Sequence, residues 1–228
     1  MRLMAHRENS GEQLVWDLPV RLFHWILVLL IATSWISAQV GGNAMKLHEW
    51  SGIAILTMLL FRVLWGFVGS THARFSSFLR SPRAAYRYAR SLVRGEEAFF
   101  PGHNPLGAWM VVALLVSLFV QAGTGLFAND DIMIEGPLAL LVSKDTSDLL
   151  TKVHHINFSV LLALVSIHVV AVVLYLWIKR ENLIRPMLSG RKRIAPDRKV
   201  DPPTGGPLWL AILLLALCAS GVWLVLAR

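Results

Sequence analysis

The chain is poor in cysteine and in acidic residues. Cys218 is the single cysteine among 228 residues, which excludes an internal disulfide and a cysteine-based metal cluster. No C-x-x-C-H run occurs, so covalently attached haem is excluded within this chain. Asp and Glu number 14 against 22 Lys and Arg, and charged residues make up only 16% of the chain. Hydrophobic residues reach 55% and mean hydropathy is +0.57, too apolar for an ordinary soluble domain and in keeping with a polytopic membrane protein. The formal charge of +8 sits mainly in short segments between apolar runs, which argues for topology control rather than nucleic-acid binding. No internal repeat or low-complexity segment is evident.

Five apolar spans are predicted, at about 20–38, 47–68, 106–128, 153–178 and 208–227, the fourth free of charged residues from 156 on. Asp17 and Pro19 form a helix-start signal before the first span. That span is long for a signal peptide, and Ile36-Ser37-Ala38 is a poor cleavage site, so it reads as a retained anchor. Residues 1–17 read as a cytoplasmic tail, 18–180 as a four-helix membrane unit, 181–206 as a cytoplasmic linker and 207–228 as a fifth membrane helix. Within the unit, segment 69–105 is basic. Ser81-Pro82 and Gly95 bracket a helix whose Arg83, Arg87, Arg90 and Arg94 share one stripe, which reads as a surface helix on the membrane or simply a solvated face. The basic segments follow the second and fourth spans, which places the N-terminus in the cytoplasm and Arg228 outside. The loop before the fourth span is acidic, with Asp130, Asp131, Glu135, Asp145 and Asp148 against Lys144 and Lys152.

Four histidines fall within the spans, and ionisable groups there are functional candidates by default. His154 and His168 are 14 residues apart, so they share nearly one helix side and lie roughly 21 Å apart along it. His155 lies roughly 140° from His168 around the helix, so it fits worse. With alternating helix directions, His48 is level with His154 near the outer face, and His24 is level with His168 near the inner face. Two level-matched pairs on three helices are what two bis-histidine haems stacked across a membrane require. Arg62 lies 14 residues after His48, at the inner level, where it could pair with a haem propionate. The alternative is snorkelling to the inner headgroups. Gly52, one turn after His48, leaves room for a porphyrin or for close helix packing. Gly66, Gly123 and Gly125 read as packing residues, while His6, His72 and His103 read as solvated. The tryptophans near span ends, Trp65 among them, read as an aromatic belt.

WDLPVRLFHW around His24, HEWSG around His48, RVLWGFVGS after Arg62 and GHNPLGAW before the third span resemble the bacterial cytochrome b561 and nickel-hydrogenase b-type cytochrome family. TGLFANDDI, EGPLA and the His154–His168 spacing extend the resemblance over about residues 16–192. The resemblance implies an all-α integral membrane protein, a four-helix bundle in the bacterial inner membrane holding two non-covalent haem b groups. By position it implies His24, His48, His154 and His168 as the iron ligands. The fifth helix departs from the four-helix pattern. The expected partners are the bilayer, the quinone pool and an extracytoplasmic redox protein such as cytochrome c, a dehydrogenase or a hydrogenase. A second copy of the chain is a further option. The leading expectation is electron transfer between that redox protein and quinone. The competing readings are the hydrogenase cytochrome subunit, a superoxide:quinone oxidoreductase and a transporter whose histidines relay protons.

Overall fold

Asp17 starts the first long helix. Its carboxylate accepts the Val20 amide at 2.7 Å, and Pro19 occupies the first turn, where its missing N–H costs nothing. In the computed structural model, which describes residues 11–96, 99–132, 134–194 and 201–227, this helix is α1, Leu18–Val40. It stops at Gly41, whose φ of 68° a side chain rarely adopts. Helix α2 (Met45–Val68) follows a tight turn. The short α3 (Phe75–Phe78) and α4 (Pro82–Val93) lead to α5 (Pro105–Gly125), and α6 spans Lys144–Trp177. The one-turn-and-a-half α7 (Ile184–Ser189) precedes α8, Leu208–Leu226. Among the described residues five helices, α1, α2, α5, α6 and α8, are long and apolar enough to cross a membrane. His6 and the other tail residues up to 10, with Arg198, Lys199 and Arg228, lie outside the described residues.

Two elements differ from expectation. Helix α6 begins at Lys144, about three turns before its apolar stretch. Ser143 caps it by accepting the Thr146 amide, and Asp145 sits favourably in its first turn. At 34 residues it is roughly 51 Å long, so it outreaches a hydrocarbon layer of about 30 Å. Segment 181–206 is more than an extended linker. It contains α7 and a strand β2 (Arg191–Arg193) that pairs antiparallel with β1 (Glu12–Leu14), Glu12 opposite Arg193 and Leu14 opposite Arg191. The expected helix between Ser81 and Gly95 is α4; its Arg83, Arg87 and Arg90, with Arg94 just past its end, are all exposed, whereas Ala85 and Tyr88 are buried.

The chain segments before α1, after α2 and after α6 gather at one end of the bundle. Lys192 donates to the Phe100 carbonyl at 2.9 Å, Thr71 N–H to Thr204 O at 3.0 Å and Trp25 Nε1 to Met187 O at 3.1 Å. Asn104 caps α5 and also donates to the Tyr175 hydroxyl, which contacts Tyr88 Oη at 2.8 Å. Burial, with that hydrogen bond, pushes the Tyr88 phenol up, so it stays protonated at working pH. This basic end is therefore tied across sequence separations of up to 173 residues, as in the Arg185–Glu12 ion pair at 2.6 Å.

The apolar core lies among α1, α2, α5 and α8, around Phe23, Leu27, Leu59, Phe61, Leu115 and Leu118. Trp65 is fully buried and donates to Asp17, so it belongs to this core rather than to an aromatic belt. Helix α6 is different. It packs along α5, contacts α1 and α2 at most marginally, and buries only Ser147 and Leu161. A gap therefore separates α6 from the α1–α2 layer.

Candidate functional site

The two histidine pairs face each other across that gap. His48 on α2 and His154 on α6 have ring centres 6.1 Å apart, and His24 on α1 and His168 on α6 have theirs 6.5 Å apart. A metal bound between two imidazoles at about 2 Å from each nitrogen sets ring centres roughly 6 Å apart. Because α6 is continuous from His154 to His168, the pairs are separated by about four turns, roughly 21 Å.

Hydrogen bonds fix the tautomers of the first pair. His48 Nδ1 lies 2.8 Å from the Ser34 carbonyl and His154 Nδ1 lies 2.9 Å from the Gln121 carbonyl. A carbonyl only accepts, so each Nδ1 carries the proton and each Nε2 presents a lone pair. Metal-binding imidazoles are oriented in this way. The lone pair of His154 accepts from the Gln121 side-chain amide at 3.0 Å, and Gln121 is steadied by Asn157 at 2.7 Å. A metal at His154 would take the place of that amide. In the second pair His24 Nδ1 is buried with no partner, which leaves it unsatisfied by protein alone.

Among the described residues no group of three or more His, Cys, Asp or Glu side chains comes together, so neither zinc nor a carboxylate-bound metal finds a ligand set. Two facing imidazoles with a gap between them suit a metal whose other ligands come from a flat ring. The glycines agree. A Cβ added at Gly52 or Gly123 would meet nothing within 4 Å. Gly52 therefore borders open space rather than a packed helix, and Gly123 does not pack either. Gly66 does pack, since a Cβ there would overlap the Phe75 ring, and Gly125 lies against His154, with 3.0 Å from such a Cβ to the imidazole.

Arg62 is only 3% exposed and its guanidinium stacks over Phe75 at 5.0 Å, so it does not reach out to solvent. His155 is exposed and lines a shallow recess with Asn129, Asp148 and Lys152. His103 corrects the sequence reading. It packs between Trp16 and Phe78, with ring centres 4.7 Å from each, and its Nδ1 is enclosed without a partner. Burial, reinforced by Arg62, holds its imidazole down at about 3, so it is neutral at working pH. Sequence reasoning also missed Gln121 and Asn157. The available signal was two amides inside apolar spans, Asn157 one turn beyond His154.

At the other end of α6, Lys144 pairs with Asp131 and Asp148, and Lys46 pairs with Glu49 at 3.0 Å. Lys144 and Lys46 are thus spoken for by neighbouring carboxylates, and Lys152 lines the recess beside His155.

A sequence profile described as prokaryotic cytochrome b561 matches residues 15–190. Over 233 residues, covering 86% of this chain and 95% of the relative, the chain is 26% identical to a probable Ni/Fe-hydrogenase B-type cytochrome subunit from Rhizobium leguminosarum bv. viciae. It is 24% identical over 226 residues to the similarly described subunit of Bradyrhizobium diazoefficiens, covering 82% of this chain and 91% of the relative. An Escherichia coli K12 relative, a probable Ni/Fe-hydrogenase 1 B-type cytochrome subunit, is 27% identical over 139 residues, half of this chain and 59% of its own length. No solved structure matches. The profile covers most of the chain and five helices among the described residues suit a membrane: the chain belongs to the prokaryotic cytochrome b561 family and is a multi-pass membrane b-type cytochrome.

Proposed function

We propose that this cytochrome holds two haem b groups, one between His24 and His168 and one between His48 and His154, and carries electrons across the membrane as the cytochrome subunit of a hydrogenase-type complex. One observation carries the two-haem reading: both pairs bridge the same gap, with ring centres 6.5 and 6.1 Å apart. When bound, each haem supplies a one-electron iron couple. The residues do the rest. Ser34 and Gln121 orient the imidazoles of His48 and His154 through Nδ1. Two protein ligands per iron leave no open position for small-molecule chemistry at the metal. Gly52 keeps the slot beside His48 open, and Arg62 faces the His24–His168 level. Residues 18–180 form the dihaem unit, and α8 is an accessory packed on α2.

The positive-inside rule supports placing the basic end in the cytoplasm of a bacterial inner membrane. The acidic end of α6 then lies outside. There the five acids of residues 129–152 outnumber Lys144 and Lys152, and Lys144 and Lys46 are already paired, which disfavours collection of superoxide and favours a protein partner with a basic face. That the relatives are described as hydrogenase cytochrome subunits supports a hydrogenase as that partner; quinone is the lipid-soluble partner in this reading. The test has two arms. A pyridine haemochrome assay on the purified chain should find two non-covalent b haems; one or none refutes the pairing. Hydrogen gas should reduce both haems in native membranes but not in membranes lacking the hydrogenase; equal reduction in both, or none in either, refutes the partner.

A further inference from the structure

Four buried side-chain polar atoms among the described residues have no hydrogen-bond partner: Arg21 Nε, His24 Nδ1, Arg62 Nη1 and His103 Nδ1. All four belong to the basic end. Buried polar groups are rarely left unpaired, and a charged one least of all, so several at one end of the bundle point to a missing acceptor rather than to chance.

Arg62 is the centre. Asp17 is the acid whose charge it feels, yet both Asp17 oxygens are engaged, Oδ1 by the Val20 amide at 2.7 Å and Oδ2 by Trp65 Nε1 at 3.0 Å and Ser70 Oγ at 2.5 Å. The guanidinium is held in place from below. A side chain at Gly66 would overlap Phe75, so that ring lies tightly on α2, with Arg62 over it at 5.0 Å. Phe75 contacts Phe78 at 5.8 Å, and Phe78 contacts His103 at 4.7 Å. His103 in turn is within electrostatic reach of Arg62, His168 and His24. Arg62, His103 and His24 thus share one desolvated region bordered by Trp16, Phe75 and Phe78, while the Arg21 guanidinium turns to the Leu188 carbonyl.

An anion suits the missing acceptor best: Asp17 offsets the Arg62 charge only at a distance, since both its oxygens are engaged, and Nη1 is left without a charged acceptor of its own in an apolar surround. It offers at least two oxygens if His103 takes the tautomer with its proton on Nδ1, so that donors come from both Arg62 and His103. A carboxylate meets both requirements. The acceptor also sits beside His24 and His168, which is where the rim of a ring held between those imidazoles falls.

We propose that Arg62 and His103 form a carboxylate clamp for the haem seated between His24 and His168, with His103 as a positioning residue. This rests on the two-haem reading and deepens it. In the clamp His103 Nδ1–H and Arg62 Nη1–H donate to the carboxylate oxygens, which seats the ring in one rotational setting about the iron–nitrogen axis.

The test uses the full-length chain produced under haem limitation and titrated with haem b or with its dimethyl ester, in which both carboxylates are blocked. Electron paramagnetic resonance separates the two sites. His103→Leu should weaken haem b at the His24–His168 site about tenfold, the scale of one lost hydrogen bond to a charged group. The same variant should bind the ester like the wild type, and His103→Gln, which keeps a donor, should recover most of the haem b affinity. The His48–His154 site is the internal control for folding. An equal loss for haem b and ester, or a His103→Leu variant indifferent to both, overturns the clamp. If His24→Ala abolishes the site while His103→Leu changes nothing, only this inference fails. If the wild type takes up no haem there at all, the two-haem reading fails with it.

Discussion

Asp17 is the most revealing residue to remove. One carboxylate caps α1 through the Val20 amide and ties the start of α1 to the end of α2 through Trp65 and Ser70. Both tied side chains are out of solvent, Trp65 at 0% and Ser70 at 2% exposure. Asp17→Ala loses the cap, about 1 kcal/mol. It also leaves the Trp65 indole N–H unsatisfied, about 1–3 kcal/mol, while the Ser70 hydroxyl can rotate and loses about 1 kcal/mol. The expected destabilisation is about 3–5 kcal/mol. The assay is unfolding in mixed micelles, followed by circular dichroism and tryptophan emission. Asp17→Ser, which keeps the cap alone, should recover about 1 kcal/mol. In the double variant with Trp65→Phe the orphaned N–H is gone, so the two losses should fall short of additivity by about 1–2 kcal/mol. Because Asp17 precedes His24 and Trp65 follows Arg62, the His24–His168 pair at the basic end should be disturbed before the His48–His154 pair. A loss below about 1 kcal/mol, or strict additivity with Trp65→Phe, would refute the tie.

Three other outcomes are expected. His24→Ala and His168→Ala should each remove the same haem in a redox titration, and His48→Ala and His154→Ala the other; loss of one haem by both His24 and His48 variants contradicts the level matching. Gly52→Leu should place a side chain in open space and displace the haem beside His48 while helicity by circular dichroism is unchanged, whereas full occupancy of both sites would show that Gly52 borders no ring. Tyr175→Phe removes the hydroxyl shared by Asn104 and Tyr88 and should cost about 2 kcal/mol, with faster proteolysis around α4; unaltered protection of that segment would show that the hydroxyl does not anchor it.

The sequence by itself determined the spans and the histidine levels. Apolar runs of about 20 residues have one outcome in a bilayer, because the helix satisfies every backbone group internally. The 14-residue step from His154 to His168 needs only a continuous helix to place both on one side. Capping chemistry was equally local, at Asp17 before α1 and at Ser81 before α4. The first turns of α6 escaped notice although Ser143 marked them, because Lys144, Asp145 and Asp148 interrupt the apolar pattern while leaving the helix intact.

Tertiary structure alone decided what depends on distant partners. The pairing of residues 12–14 with 191–193 has no local signal, since each strand is three residues long and stable only against the other. Burial of Trp65 follows from the position of Asp17 and not from its place near a span end. His103 precedes a span in the sequence and reads as solvated; Trp16, 87 residues earlier, and Phe78 enclose it in the fold. The gap between α6 and the α1–α2 layer is likewise invisible along the chain. Periodicity reports which face of a helix is apolar, but how far apart two apolar faces stand is set by the side chains that must fit between them.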